Sequence, residues 1–270
     1  MKNHKFLIFI FIPMLFFSAC VSKPVINKPT SLQRHYTYTV LSNPREPAQS
    51  AQMEIALSLL QMNYNEDIIY FVNTLLYPPS KNYDGIDISD YTAEAYKNRI
   101  ISEKRDEFRS SLPENDWRYS ETINVAARFE KGLIIERQYY SYSGGAHGMQ
   151  LNRHYIIDTE ELAVVNMDDL FENFQREEIR SIVYRTLRAN FNLRRNQPLS
   201  EGLFFSDEPE LSFKFYLTDE GLVIYWDPYE IAPYSSGSIE VLLHWMEIRH
   251  FILDSGLELL TKFNIYLFDD

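Results

Sequence analysis

From Ala48 to Met62 the apolar residues Ala48, Ala51, Ile55, Leu59 and Met62 recur at the three-to-four spacing of a helix. Asn63 and Asn65 interrupt that pattern, and a second helix is expected from Glu66 to Tyr77, with Ile68, Val72, Leu75 and Leu76 on one face. Pro78 and Pro79 end it, because neither supplies the backbone N–H that a continuing helix needs. After a polar stretch from Ser80 to Ser89, Asp90 stands where a cap would open a third helix carrying Tyr91, Ala95, Ile100, Lys104 and Phe108 up to Pro113.

Beyond Trp117 the period changes to two. Tyr119, Ile123, Val125, Ala127 and Phe129 fall on one face, and Ser120, Thr122, Asn124 and Arg128 on the other, the mark of a half-buried strand. Lys131 and Gly132 turn the chain into a second strand, Leu133 to Tyr142, so the pair predicts a hairpin. Gly144 and Gly145 break the run; Met149 to Ile157 and Leu162 to Val165 read as further strands. Helical signals return at Asp168 and Asp169, and strongly from Glu177 to Phe191 with Ile179, Ile182, Val183 and Leu187 inward. A last sheet region is expected at Leu211 to Leu217, Leu222 to Trp226 and Ser238 to Leu243, with a turn at Asp219, Glu220 and Gly221. Met246 to Leu253 reads as helix, Phe263 to Phe268 as an edge strand, and His35 to Val40 as the first strand of all. Helices and strands are grouped rather than alternated, which predicts an α+β fold: antiparallel sheets with helices packed on one face, in two consecutive subdomains sharing an interface.

The first 19 residues differ in kind. A basic start (Lys2, Lys5), an apolar run from Phe6 to Phe17 and the small residues Ser18 and Ala19 precede Cys20, the sole cysteine. This is the pattern of an export signal ending at a lipid-attachment cysteine. The run is well short of the ~20 residues a spanning helix needs. Thioether lipidation and acylation (palmitate) at Cys20 would tether the protein to the membrane, since two or more chains anchor stably where one does not. The chain then divides into a signal peptide (1–19), a lipid-anchored spacer (20–35), an N-terminal subdomain (36–142), a C-terminal subdomain (143–253) and an extension (254–270). The expected location is extracytoplasmic, in a bacterial cell envelope.

Charge narrows the partners. Removal of Lys2 and Lys5 with the leader leaves 24 basic against 38 acidic side chains, a net charge of −14. Such a surface repels nucleic acid and favours a basic partner by long-range attraction. With one cysteine there is no disulfide within the chain, so packing carries stability, and 19 Tyr, 18 Phe and 3 Trp supply it.

Two segments carry a resemblance. The first holds Tyr140, Tyr142, Gly144, Gly145, His147 and Gly148, followed by Asn152, Asp158 and Asp169-Leu170-Phe171; the second runs from Phe215 to Leu222, then through Asp227, Pro228, Tyr229, Glu230, Ile231, Ala232, Pro233, Tyr234 and Gly237. They are similar to a bacterial extracytoplasmic family of unknown function that includes the extracellular part of the RsiV anti-sigma factor and the N-terminal region of the PdaC peptidoglycan deacetylase. The stretch from Ala48 to Tyr142 resembles the smaller domain that precedes the signature in both. The resemblance implies a scaffold rather than an activity, because an anti-sigma factor needs a cytoplasmic segment and a deacetylase a further metal-binding domain. It also implies, as partners, a lysozyme-like basic protein or peptidoglycan.

The motif residues have their own chemistry. Gly144 and Gly145 permit positive φ and hence a tight turn, which either converges backbone N–H groups on an anion or reverses the chain while Tyr140 and Tyr142 pack. His147 reads as a structural histidine bonded to that turn, or as an acid, base or ligand. Asp227 and Glu230 read as parts of a rigid proline-containing loop, or as a carboxylate pair for hydrolysis with His147. No cofactor or nucleotide-binding pattern and no His-Glu-x-x-His occurs. The favoured expectation is a non-catalytic binding module using Tyr140, Tyr142, Gly144, Gly145, His147, Tyr229, Glu230 and Tyr234; the alternative is an envelope hydrolase using His147 with Asp227 or Glu230.

Overall fold

In the computed structural model, residues 30–47, 50–79 and 90–267 are described. Cys20 and the leader lie outside them. Strands β1 (Thr30–Leu41), β2 (Gln52–Asn63), β3 (Trp117–Arg128), β4 (Gly132–Tyr142), β5 (Met149–Asp158) and β6 (Ala163–Val164) form one sheet in sequence order. Helices α1 (Glu66–Leu76) and α2 (Ala93–Ser110) lie between β2 and β3 in the chain. All neighbours are antiparallel except β2 and β3, which run parallel from Met53↔Trp117 to Ser58↔Thr122. A parallel pair needs a long crossover, and α1 with α2 supplies it. The second sheet is antiparallel, β7 (Phe215–Leu217), β8 (Gly221–Trp226) and β9 (Ile239–His244), with α3 (Met167–Leu170), α4 (Glu177–Asn190), α5 (Trp245–Ile248) and α6 (Asp254–Thr261) around it. The α+β class with antiparallel sheets and packed helices is therefore observed.

Several expected elements are corrected. The helix expected from Ala48 to Met62 is strand β2, whose buried positions Met53, Ile55, Leu57 and Leu59 alternate, with Leu60 buried beside them. A strand's inward face recurs at i+4 as well as i+2, so Ala51, Ile55 and Leu59 satisfied both periods; Met53 and Leu57 decide for the strand. Ala48 lies outside the described residues. β1 begins at Thr30, earlier than His35 and inside the stretch expected as spacer. The cap of α2 is Thr92, whose hydroxyl accepts from Ala95 N–H at 3.1 Å, rather than Asp90. The last segment is helical at Asp254–Thr261, where no element was expected, and the edge strand from Phe263 is absent over its described part. Phe263 and Ile265 instead plug the core as an irregular tail, with Asn264 in the left-handed region between them. The helix expected at Met246 to Leu253 is a short α5 followed by a 3-10 turn, Arg249–Phe251.

Two cores share one pair of strands. Leu133 and Ile135 of β4 and Ile157 of β5 join α1, α2 and the inner face of β2 and β3. Ile134 and Ile156, on the opposite face, join the second sheet and its helices. This explains the unbroken apolar runs Leu133-Ile134-Ile135 and Ile156-Ile157: strands buried on both faces lose their alternation.

Candidate functional site

The turn after β4 is built on Gly144 and Gly145, at φ 92° and 98°, a region that costs other residues a steric penalty. Tyr142 donates its hydroxyl to Gly145 O at 3.1 Å. At Gly148 a Cβ would lie 2.5 Å from the Tyr140 ring, so glycine lets that ring lie against the backbone. His147 is exposed on this turn, with Nδ1 3.1 Å from Gly148 O.

The second motif comes to meet it. Tyr229 sits at φ 73°, an uncommon conformation for a non-glycine residue, and Tyr234 opens a 3-10 turn that Gly237 (φ 68°) closes. The His147 ring stacks on Tyr234 with centroids 3.5 Å apart and planes 9° from parallel, and His147 Nε2 lies 3.1 Å from the Tyr229 hydroxyl. Residues 82 apart in sequence thus form one ring cluster. It borders an open groove of about 660 Å³ across the solvent face of β1 to β4, lined by Thr37, Thr39, Glu54, Arg118, Tyr140 and Tyr142 as well as His147. That volume falls within the usual range for small-ligand clefts.

Glu230 and Asp227 face elsewhere. Asp227 is buried, and its Oδ2 accepts from Lys214 at 2.7 Å and Arg153 at 2.8 Å. Its Oδ1 accepts from Asn152 N–H at 3.3 Å, and Tyr225 donates to Asn152 O at 3.4 Å. Side chains from the second sheet thereby satisfy the outer edge of β5, which would otherwise present unpaired backbone groups. Glu230 accepts from Lys214 at 2.5 Å and from Asp227 N–H at 2.9 Å. Burial opposes ionisation of Asp227, but Lys214 and Arg153 outweigh it and hold its carboxyl below the usual range. Neither carboxylate hydrogen-bonds His147 among the described residues.

Two polar features escaped the sequence reading. In the N-terminal core, Glu121 and Arg137 are fully buried and paired, with Arg137 Nη2 2.6 Å from Glu121 Oε1. Tyr96 and Tyr119 donate to Glu121 Oε2 at 2.7 and 3.0 Å, and Arg137 Nη1 donates to Leu76 O at 2.9 Å. Burial, then the adjacent Glu121 charge, push both tyrosine hydroxyls far above their ordinary range. The signal was present: Glu121 sits between Tyr119 and Ile123, and Arg137 between Ile135 and Tyr139, on inward positions. The other feature is His154, wedged against Tyr216 and Tyr225 with centroids 4.6 and 5.2 Å away, its Nδ1 buried without a hydrogen-bond partner among the described residues. Burial lowers its proton affinity, opposed by Glu136.

Residues 168–246 match a family described as "Protein of unknown function (DUF3298)". Over 201 residues, 72% of the chain, the sequence is 23% identical to the peptidoglycan-N-acetylmuramic acid deacetylase PdaC of Bacillus subtilis, and spans about 40% of that curated relative. Among solved structures, a DUF3298 family member from Bacteroides fragilis is similar with a TM-score of 0.68 at 16% identity, covering 87% of this chain and 96% of that one. A DUF3298 family protein from Pseudomonas aeruginosa has a TM-score of 0.55 at 15% identity, covering 84% and 96%. These likenesses extend the fold across nearly all of the described residues. Among those residues no helix is long and apolar enough to cross a membrane.

Proposed function

We propose that the protein, whose residues 168–246 match the DUF3298 family, is a lipid-tethered, non-catalytic binding module of the bacterial cell envelope that holds a cell-wall glycan in the groove beside His147. The observation that carries this reading is the convergence of Tyr140, Tyr142 and His147 on one open, polar groove, with Tyr229 and Tyr234 bracing His147 from the second sheet. Aromatic faces beside hydroxyl and amide groups suit a sugar chain, which presents both apolar ring faces and hydroxyls. The curated relative acts on peptidoglycan by its name, which supports a glycan as the ligand in this reading. Cys20, at the end of the leader, is the attachment site in this reading.

The test is calorimetry of the chain from Val21 with peptidoglycan fragments released by a muramidase. Binding is expected, weakened about tenfold or more by Tyr142→Ala, a loss of about 1.4 kcal/mol. No binding at millimolar fragment would refute the glycan reading. The hydrolase alternative requires His147 to work with Asp227 or Glu230, whereas Lys214 and Arg153 engage the carboxylates and Tyr229 engages the imidazole. Fragment cleavage abolished by His147→Ala would revive it. A second binding reading, a basic lysozyme-like protein, draws on the expected net charge of −14 and predicts association that weakens steeply with salt. Tethering is checked by Cys20→Ser, which should release the protein from membranes on fractionation.

A further inference from the structure

From Leu203 to Lys214 the chain crosses the surface without a strand or helix, and leaves Phe205 and Phe213, which line one groove, 59% and 55% exposed. Large apolar side chains gathered in one exposed patch mark an interaction surface more often than scattered ones do. Their backbone is fixed rather than loose: Phe205 N–H donates to Ile231 O at 2.9 Å, and Gln175 Nε2 donates to Leu211 O at 2.9 Å. Phe205 and Phe213 flank a groove of about 660 Å³ whose floor includes Leu211, Trp226 and Ile231, all buried in the C-terminal core. Trp226 Nε1 is already committed to Glu210 O at 3.0 Å, which leaves its ring as apolar floor. On the rim stand Glu208 and Glu210, both exposed, with neither carboxylate in an ion pair among the described residues.

We propose that this groove docks a short cationic amphipathic peptide. The apolar side chains of such a peptide cover Phe205 and Phe213, and its lysines or arginines meet Glu208 and Glu210. The rim selects against other occupants. A second copy of the chain would bring the same carboxylates together, and an anionic lipid surface would meet like charge, on a protein whose net charge is −12 overall. Zwitterionic or acidic apolar peptides would leave the rim unmatched. The groove shares no lining residue with the one beside His147, so the inference does not rest on the glycan reading.

No described element uses residues before Thr30, so the chain from Val21 is the form to test. The probe is a synthetic amphipathic peptide of leucine and lysine, with its leucine and glutamate counterpart as control, read by calorimetry and by amide hydrogen exchange. The leucine–lysine peptide is expected to bind and to protect amides between 203 and 214. The pair Phe205→Ser with Phe213→Ser should weaken binding about tenfold or more, as expected for two lost apolar contacts. Glu208→Gln with Glu210→Gln should flatten its salt dependence, while Glu103→Gln with Glu107→Gln on α2 should leave it unchanged. The inference is overturned if the peptide does not bind, if the α2 variant loses as much as the rim variant, if the glutamate peptide binds equally, or if the patch instead drives concentration-dependent self-association that Phe213→Ser abolishes.

Discussion

Replacing Arg137 with methionine keeps most of the side-chain volume but withdraws the cation from a sealed polar cluster. Glu121 then keeps its bonds from Tyr96 and Tyr119 and loses its ion pair, while Leu76 O loses its donor. Removing one partner of a buried pair typically costs about 3–5 kcal/mol, because the other charge is left in a low-dielectric interior. Against a total stability of about 5–15 kcal/mol this is a large fraction. For a chain of this size it corresponds to a melting-temperature drop of about 6–20 °C. Urea unfolding of the chain from Val21, followed by tyrosine fluorescence and circular dichroism, measures it. Glu121→Leu combined with Arg137→Met should recover part of the loss, although it leaves two buried hydroxyls seeking partners at about 1–3 kcal/mol each. A single-variant penalty below about 1 kcal/mol would refute the reasoning that the pair is desolvated and interdependent.

Burial lowers the proton affinity of His154 in the folded state, so the unfolded chain binds the proton more tightly; stability should fall as pH drops below about 6.5, and His154→Phe should remove that slope in thermal melts between pH 5 and 7.5. Asp227 has the opposite charge type: its folded carboxyl lies below the usual range, so its contribution is present above about pH 3.9 and disappears as pH falls through the folded value. Asp227→Asn should therefore cost about 1.5–3 kcal/mol at pH 7 and almost nothing in strong acid, as read by denaturation at both extremes. Gly148→Ala places a methyl against the Tyr140 ring and should cost about 1–3 kcal/mol while displacing Tyr140 from the groove, visible as lost fragment binding in calorimetry.

The elements that could be read from sequence were those whose period had only one interpretation. The β3–β4 hairpin, marked by alternation from Tyr119 to Val125 and a Lys131-Gly132 turn, and α4, marked by its helical period, both stand where expected. β2 was misread because its apolar residues fit two periods, and only its pairing with β1 and β3 settles which face is inward. The parallel register of β2 and β3 had no local signal, since it depends on how far α1 and α2 carry the chain back. α6 was missed because it is eight residues long and opens on Leu253 without a side-chain cap. At the site, the tight turn at Gly144 and Gly145 followed from glycine's freedom at positive φ. The stacking of His147 on Tyr234 did not, because it is a contact between two loops brought together only by the packing of the second sheet against β5. Asp227 as an anchor for the β5 edge was likewise invisible, its partners Arg153 and Lys214 being remote in sequence.

The strand pair shared by the two cores also sets an order of assembly. Every buried member of the first core lies between Val40 and Ile157, whereas the second, apart from Ile134 and Ile156, begins at Val165. A chain delivered N-terminus first can therefore close its first core while the remainder is still emerging. Once closed, that half displays Ile134 and Ile156 as a ready wall, and the later segments condense on a template rather than nucleating alone. Lesions in β4 or β5 would then be felt twice, first in the half that contains them and again in the half that must be moulded on it.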